Sequence, residues 1–201
     1  MNTPPSIYIG NEEITLNFKD AYEDDVIQGI QRFIDAVPEL DVGQSFFWGM
    51  WPVKLVSQNN RVTLLAYDFV RQEYTKYIDQ AIALWREQSN VCASQDLSWF
   101  SVKLDEQIFF TPNAFRSPML STTEGVRDKP DTESSSGWFV YTAADRENNL
   151  AFQSASLGEV LQQYNLNILR FLGLPIGWMF NIEMNGTSHV WKDDLSATSL
   201  N

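Results

Sequence analysis

The chain has 201 residues, is 44% hydrophobic, and carries a formal net charge of −12 with seven Trp, seven Tyr and thirteen Phe. Such apolar and aromatic wealth excludes a disordered segment, and no unbroken apolar run reaches the length of a membrane span. The negative charge disfavours nucleic acid and anionic lipid as partners and favours a basic protein, and it is no acidic tail: residues 1–93 and 94–201 each hold thirteen acids and seven bases.

The first element expected is a hairpin, Ser6–Ile9 and 12–18, turning at Gly10-Asn11. It sets Ile7, Ile9, Ile14, Leu16 and Phe18 on one face. Asp20 as N-cap with Glu23 three residues on predicts a helix through Val26, Ile27, Ile30, Phe33, Ile34 and Val37, stopped by Pro38. Residues 43–51 read as a strand. Residues 53–57 and 61–67 read as a second hairpin around Asn59-Asn60. The stripe Val70, Tyr74, Tyr77, Ile78, Ala81, Ile82 and Trp85 then predicts one long helix over 67–87.

Residues 89–94 break that pattern and suggest a boundary between two domains, 1–93 and 94–201. Beyond it, 99–104 and 107–111 read as short strands, and 112–136 as a long irregular stretch entering a strand at Trp138 to Tyr141. Ser156 with Glu159 forms a capping box for a helix along Leu157, Val160, Leu161, Tyr164, Ile168, Phe171 and Leu172, ended by Gly173 and Pro175. Asn185-Gly186 predicts a two-residue turn pairing Ile182 with His189 and Phe180 with Trp191, so that His189 packs among aromatics. The tail from Asp193 onward is expected to fray. The fold class expected is α+β, with antiparallel sheets and packed helices.

Little in this sequence points to catalysis. A single histidine excludes every motif that needs two, and no phosphate loop, dinucleotide fingerprint or nucleophile elbow occurs. The pairs Glu12-Glu13, Asp105-Glu106 and Asp193-Asp194 and the run Glu23-Asp24-Asp25 lack the spacing of a calcium loop, so no metal or cofactor is expected. Lone Cys92 reads as a small packing residue in a reducing compartment. Most of the tryptophans should fill cores, with Trp48 or Trp51 the candidate for an exposed anchor. The opening Met1-Asn2-Thr3-Pro4-Pro5 has neither a basic region nor an apolar run, so a cytoplasmic protein is expected.

Residues 127–141, Arg-Asp-Lys-Pro-Asp-Thr-Glu-Ser-Ser-Ser-Gly-Trp-Phe-Val-Tyr, stand out as a two-signed polar loop rooted in an aromatic strand. Arg127 is expected to pair with Asp131 or Glu133, which leaves Asp128 and the remaining acid for a partner's lysine or arginine. Trp138 and Gly137 are expected to anchor the loop.

Arg127 to Asp131, then Glu133 to Phe139, resembles the signature of the immunity-protein thirty-three-like family of small bacterial domains. Gly173-Leu174-Pro175-Ile176-Gly177-Trp178-Met179-Phe180 is similar to its segment before the last strands, and the resemblance spans 115–192. Ser134 and Ser135 stand where further acids are usual, and 142–155 lacks the family's dense acidic run. The motif carries onto Arg127, Asp131, Gly137 and Trp138. The resemblance implies neutralisation of a toxin of a polymorphic or contact-dependent secretion system by binding and not by catalysis; the negative charge adds that the toxin is basic, and the expected contact residues are Arg127, Asp128, Asp131, Glu133 and Trp138. An effector chaperone or adaptor, and a carboxylate enzyme of another kind, are the alternatives.

Overall fold

A computed structural model describes residues 5–9, 12–19, 24–36, 41–58, 61–115, 121–163 and 165–193. The chain divides into two compact units, Met1–Trp85 and Arg86–Asn201. Each has its own sheet and its own buried apolar set, and the fold is α+β.

In the first unit, β1 (Ser6–Ile9), β2 (Glu12–Thr15), β3 (Ser45–Trp48), β4 (Trp51–Gln58) and β5 (Arg61–Asp68) form a sheet in the order β1-β2-β5-β4-β3, with β6 (Glu73–Thr75) added to β5. One pair, β2 with β5, is parallel. Ile7 faces Ile14 across the first pair, and both are buried with Leu16, Leu55 and Leu64. Helix α1 (Asp24–Asp35) supplies Val26, Ile30 and Ile34 to that core. Its Gln31 amide closes the outer edge of β1, donating to the Tyr8 carbonyl and accepting from the Tyr8 N–H, each at 2.7 Å. That leaves less of the edge open to another strand.

Two expectations fail in this unit for local reasons. Residues 43–51 are not one strand: the chain turns at Gly49-Met50, so Trp48 and Trp51 pair across a hairpin. Both are buried, and neither is the exposed anchor expected from their alternation. Residues 67–87 are not one helix. The Asp68 carboxylate accepts from the Val70 and Arg71 N–H groups at 3.0 Å each, Gln72 lies at φ +57°, and β6 follows before α2 (Asp79–Ala93) begins. A side chain that captures backbone donors after a strand overrides a helical stripe. The expected break at 89–94 is instead the last turn of α2 and its exit, and the division between the units falls inside that helix.

The second unit contains β7 (Gln107–Phe110), β8 (Thr123–Arg127), β9 (Ser135–Thr142), α3 (Ala143–Glu147), β10 (Gln153–Ser156), α4 (Leu157–Gln163), α5 (Leu166–Leu169), β11 (Trp178–Ile182) and β12 (Ser188–Lys192). The sheet order is β10-β7-β9-β8-β11-β12, antiparallel except for β7 with β9. The inward face carries Ile108, Trp138, Val140, Phe180 and Ile182 beneath Val160, Leu161, Leu169, Phe171 and Leu172, all buried. Phe180 stacks on Phe171 at 4.4 Å and meets Trp138 at 5.6 Å. Each such side chain contributes about 1.5–3 kcal/mol by leaving water.

The capping box forms as read: Glu159 accepts from the Ser156 N–H at 2.8 Å and its own N–H donates to Ser156 Oγ at 3.3 Å. The helix it starts ends at Gln163, and α5 begins at Leu166. Residues 99–104 are irregular, and 112–136 contains the unforeseen strand β8. The C-terminal hairpin is shifted by one residue. Glu183 and Thr187 close a three-residue loop, with Gly186 at φ +86°, and Ile182 faces Ser188 while Asn181 faces His189. A one-residue slip exchanges the faces of the second strand, so His189 leaves the buried face of Phe180 and Ile182 and lies exposed, 3.6 Å from Glu183. The turn Gly10-Asn11, the cap Asp20 with Glu23, Pro38, Asn59-Asn60, Tyr164 and the tail after Asp193 lie outside the described residues.

Candidate partner-binding surface

The loop between β8 and β9 is built on a frame of backbone carbonyls. The segment ending α5 offers carbonyls, and they meet side chains or amides, that of Leu169 also accepting from the Leu172 N–H at 3.2 Å. Gln88 donates to Leu169 at 2.8 Å, the Trp138 indole to Leu172 at 3.2 Å, the Phe100 N–H to Gly173 at 2.9 Å, and Arg127 Nη1 to Leu174 at 2.6 Å. Arg127 Nε donates to the Ser136 carbonyl at 3.2 Å, and the guanidinium lies 5.9 Å from the Trp138 ring centroid. Arg127 is 6% exposed and Trp138 0%. Burial pulls the Arg127 pKa below its ordinary value, and the negative charge of Glu106 acts against that.

Arg127 therefore does not pair with Asp131 or Glu133. Along β8 it shares the parity of Thr123 and Gly125, all buried, and this parity turns it inward, away from the loop acids. Neither Arg127 nor Trp138 offers a surface to a partner; both fix the roots of the loop. Gly137 is equally constrained. It sits at φ +77°, its carbonyl accepts from the Asp128 N–H at 2.9 Å, and a Cβ there would run into the Asp128 carbonyl oxygen.

The serines complete the frame. Ser136 Oγ donates to the Gln107 carbonyl at 2.8 Å and accepts from the Trp138 N–H at 3.2 Å, where the pairing of β7 and β9 changes register. Ser135 Oγ accepts from the Gly137 N–H at 3.1 Å. Asp128, Lys129, Asp131 and Glu133 are all exposed, and among the described residues none of the three carboxylates makes an ion pair or a side-chain hydrogen bond. The result is three acids and one lysine on a short loop whose two roots are locked into the core.

A second feature lies where β9 meets α3. A cavity of about 430 Å³ is lined by Thr111, Tyr141, Arg146, Asn149, Leu150 and Phe152. Arg146 is 3.8 Å from Glu124, and burial together with Glu124 pushes the Tyr141 pKa up to about 12. Beneath it the buried Asp145 carboxylate accepts from the Asn113 N–H at 3.1 Å and from Asn113 Nδ2 at 2.6 Å. Burial works to raise its pKa, but hydrogen bonds from Thr111, Asn113 and Thr142 outweigh it and hold the acid below its usual value. Sequence reading passed over this cluster, although the Thr142 cap with Asp145 three residues on was a visible signal. Among the described residues no three His, Cys, Asp or Glu side chains gather as a metal site requires. Cys92 is buried with its thiol donating to Gly173, and burial pushes its pKa up.

The model of the Imm33-like domain family matches residues 87–193. The chain belongs to the Imm33-like family. The match starts earlier than the resemblance at 115–192, taking in Gln88, Cys92 and Trp99 and so the whole frame around the end of α5. No curated protein and no solved structure matches the chain. In this Imm33-like domain the two stretches that carry the resemblance, 127–139 and 173–180, are the two sides of one hydrogen-bonded junction. Arg127 donates from the first to the Leu174 carbonyl of the second, Trp138 donates to the Leu172 carbonyl just before it, and the Gly177 N–H of the second donates to the Arg127 carbonyl at 2.7 Å. The Imm33-like description points to a family of immunity proteins.

Proposed function

We propose that this protein is an immunity protein that binds a cognate, basic toxin in the cytoplasm and neutralises it by covering its active site. The observation that carries the reading is the Imm33-like match over 87–193. It is supported by the loop at 128–133, whose acids stand exposed on roots that cannot move freely. Pre-set carboxylates spare the ordering cost of association and steer a basic partner during encounter. Asp128, Asp131 and Glu133 are the contact residues, while Arg127 and Trp138 act by positioning them.

Purification with the product of the adjacent gene tests the reading. A complex that weakens steeply with salt is expected, together with loss of the toxin's activity when this protein is added. Replacing the three loop acids by Asn, Asn and Gln should slow association by about tenfold at low salt and flatten its salt dependence. An adjacent product that never binds at micromolar concentration overturns the proposal. A complex that leaves the toxin active assigns the protein to escort instead of immunity.

A further inference from the structure

The outward face of the second sheet carries a row of side chains that the loop acids do not explain. Strand register sets Phe109 beside Phe139, Phe139 beside Val126, Val126 beside Met179 and Met179 beside Trp191. Five apolar side chains thus lie in line across β7, β9, β8, β11 and β12. By alternation they leave the face opposite Trp138, Val140 and Phe180. None is buried, and Trp191, at the end of the row, is 38% exposed. Phe109 and Phe139 stack at 5.1 Å, and Phe152, 47% exposed, meets Phe139 edge-on at 5.6 Å and prolongs the row toward the Arg146 cavity. An apolar strip of this length, open to water, marks a surface that something covers.

Acids bracket the strip. Two residues from Val126 along β8 lie Glu124 on one side and the exposed Asp128 on the other, and two residues beyond Trp191 lies Asp193. The ladder runs on through these positions, with Gly177 N–H donating to Arg127 and Asp193 N–H to Gly177, so alternation sets them on the face of the row. Asp131 and Glu133 follow Asp128 at the same end. Two basic groups of this region, Arg146 and His189, already lie beside Glu124 and Glu183. An apolar centre with an acidic rim is complementary to a basic surface that presents aliphatic or aromatic side chains at its middle.

We infer that this sheet face, and not the loop alone, is the docking surface for the toxin: the row from Phe109 to Trp191 holds the partner's apolar side chains, and Glu124, Asp128 and the loop acids hold its lysines and arginines. The inference rests on the immunity reading and assigns it a surface. Hydroxyl-radical footprinting of the full chain, alone and with the adjacent-gene product, tests it. Labelling of Met179 and Trp191 should fall in the complex while that of Phe100, exposed elsewhere on the unit, stays constant. Trp191→Ala and Val126→Arg should each weaken the complex at least about tenfold with an unchanged far-ultraviolet spectrum. The footprint needs no variant, so a misfolded Val126→Arg leaves the test intact. If the wild-type chain forms no complex, the immunity reading falls and this inference with it. If a complex forms and Met179 and Trp191 label as before, the face is wrong while immunity stands. Protection that grows with the concentration of this protein alone identifies a second copy as the occupant and overturns the inference.

Discussion

Arg127→Met is the substitution that best separates a strut from a contact residue. It strips donors from two carbonyls inside the protein, those of Leu174 and Ser136. A buried acceptor left without a partner costs about 1–3 kcal/mol, and loss of the indole face adds about 0.5–1 kcal/mol. Relief of desolvation opposes this, because among the described residues no carboxylate lies within ion-pair distance of the guanidinium. One fact limits that relief: the guanidinium is the more weakly hydrated of the cationic side chains. The expected net loss is about 2–4 kcal/mol. With a urea dependence of about 2 kcal/mol per molar, the middle of the usual range, the midpoint of unfolding falls by about 1–2 M. Equilibrium denaturation followed by circular dichroism measures it. Arg127→Lys, which keeps the charge but not the fork, should fall between the two, and the affinity of the folded fraction for the toxin should not change. A midpoint for Arg127→Met equal to or above that of the parent chain would refute the argument, since desolvation would then outweigh both hydrogen bonds.

Gly137→Ala should lower the melting temperature, because about 1–2 kcal/mol of left-handed backbone strain comes on top of the collision with the Asp128 carbonyl; amide exchange at Asp128 should quicken with it. Asp145→Asn should cost about 1–3 kcal/mol at neutral pH, as its amide nitrogen turns one acceptor of the Asn113 contacts into a donor. The Asp145 pKa is depressed in the folded chain, so its contribution is complete above the unfolded value and is lost as pH falls through the folded one. The stability difference between the parent and Asp145→Asn should therefore be level at neutral pH and shrink below about pH 4. Alkaline titration of phenolate absorbance should show one tyrosine ionising near 12 that is missing from Tyr141→Phe. Since that pKa is raised, the stability it confers is present below the ordinary tyrosine value and is lost as pH rises toward 12.

What was legible in the sequence was what short-range chemistry decides. The Ser156 and Glu159 capping box needs only four residues, and Asn185-Gly186 placed a turn within one residue of its position. That one residue moved His189 from the packed face to the exposed one, which shows how a local reading fails when it must also fix a face. Strand β8 escaped notice because Glu124 and Gly125 lower strand propensity. Gly125 is there for a distant reason: a Cβ would run into the ring of Phe180, which closes the core from β11. The loop acids could be read as exposed from their polarity alone. The burial of Arg127 could not, because it depends on β8 being a strand and on which of its faces looks inward. The outward row was invisible for the same reason, since five strands must be in register before Phe109 and Trp191 belong to one surface.

The stretches that carry the family resemblance thus hold two layers of the same strands, a buried frame and the outward positions proposed to meet a partner. Arg127, Gly137 and Trp138 lie within the protein, engaged with carbonyls or too close to backbone to vary, and they determine where the loop and the sheet face stand. Phe139, Val126 and Met179 stand next to Trp138, Arg127 and Phe180 along β9, β8 and β11 and point outward, where a change of side chain alters the proposed docking face and leaves the frame intact. A protein built in this way can change its partner by altering the outward positions while keeping the fold that the motif specifies. It follows that the buried residues of the motif are evidence for the scaffold, and that the chemistry of the proposed toxin is to be read from the exposed and outward-facing residues, those within the motif included.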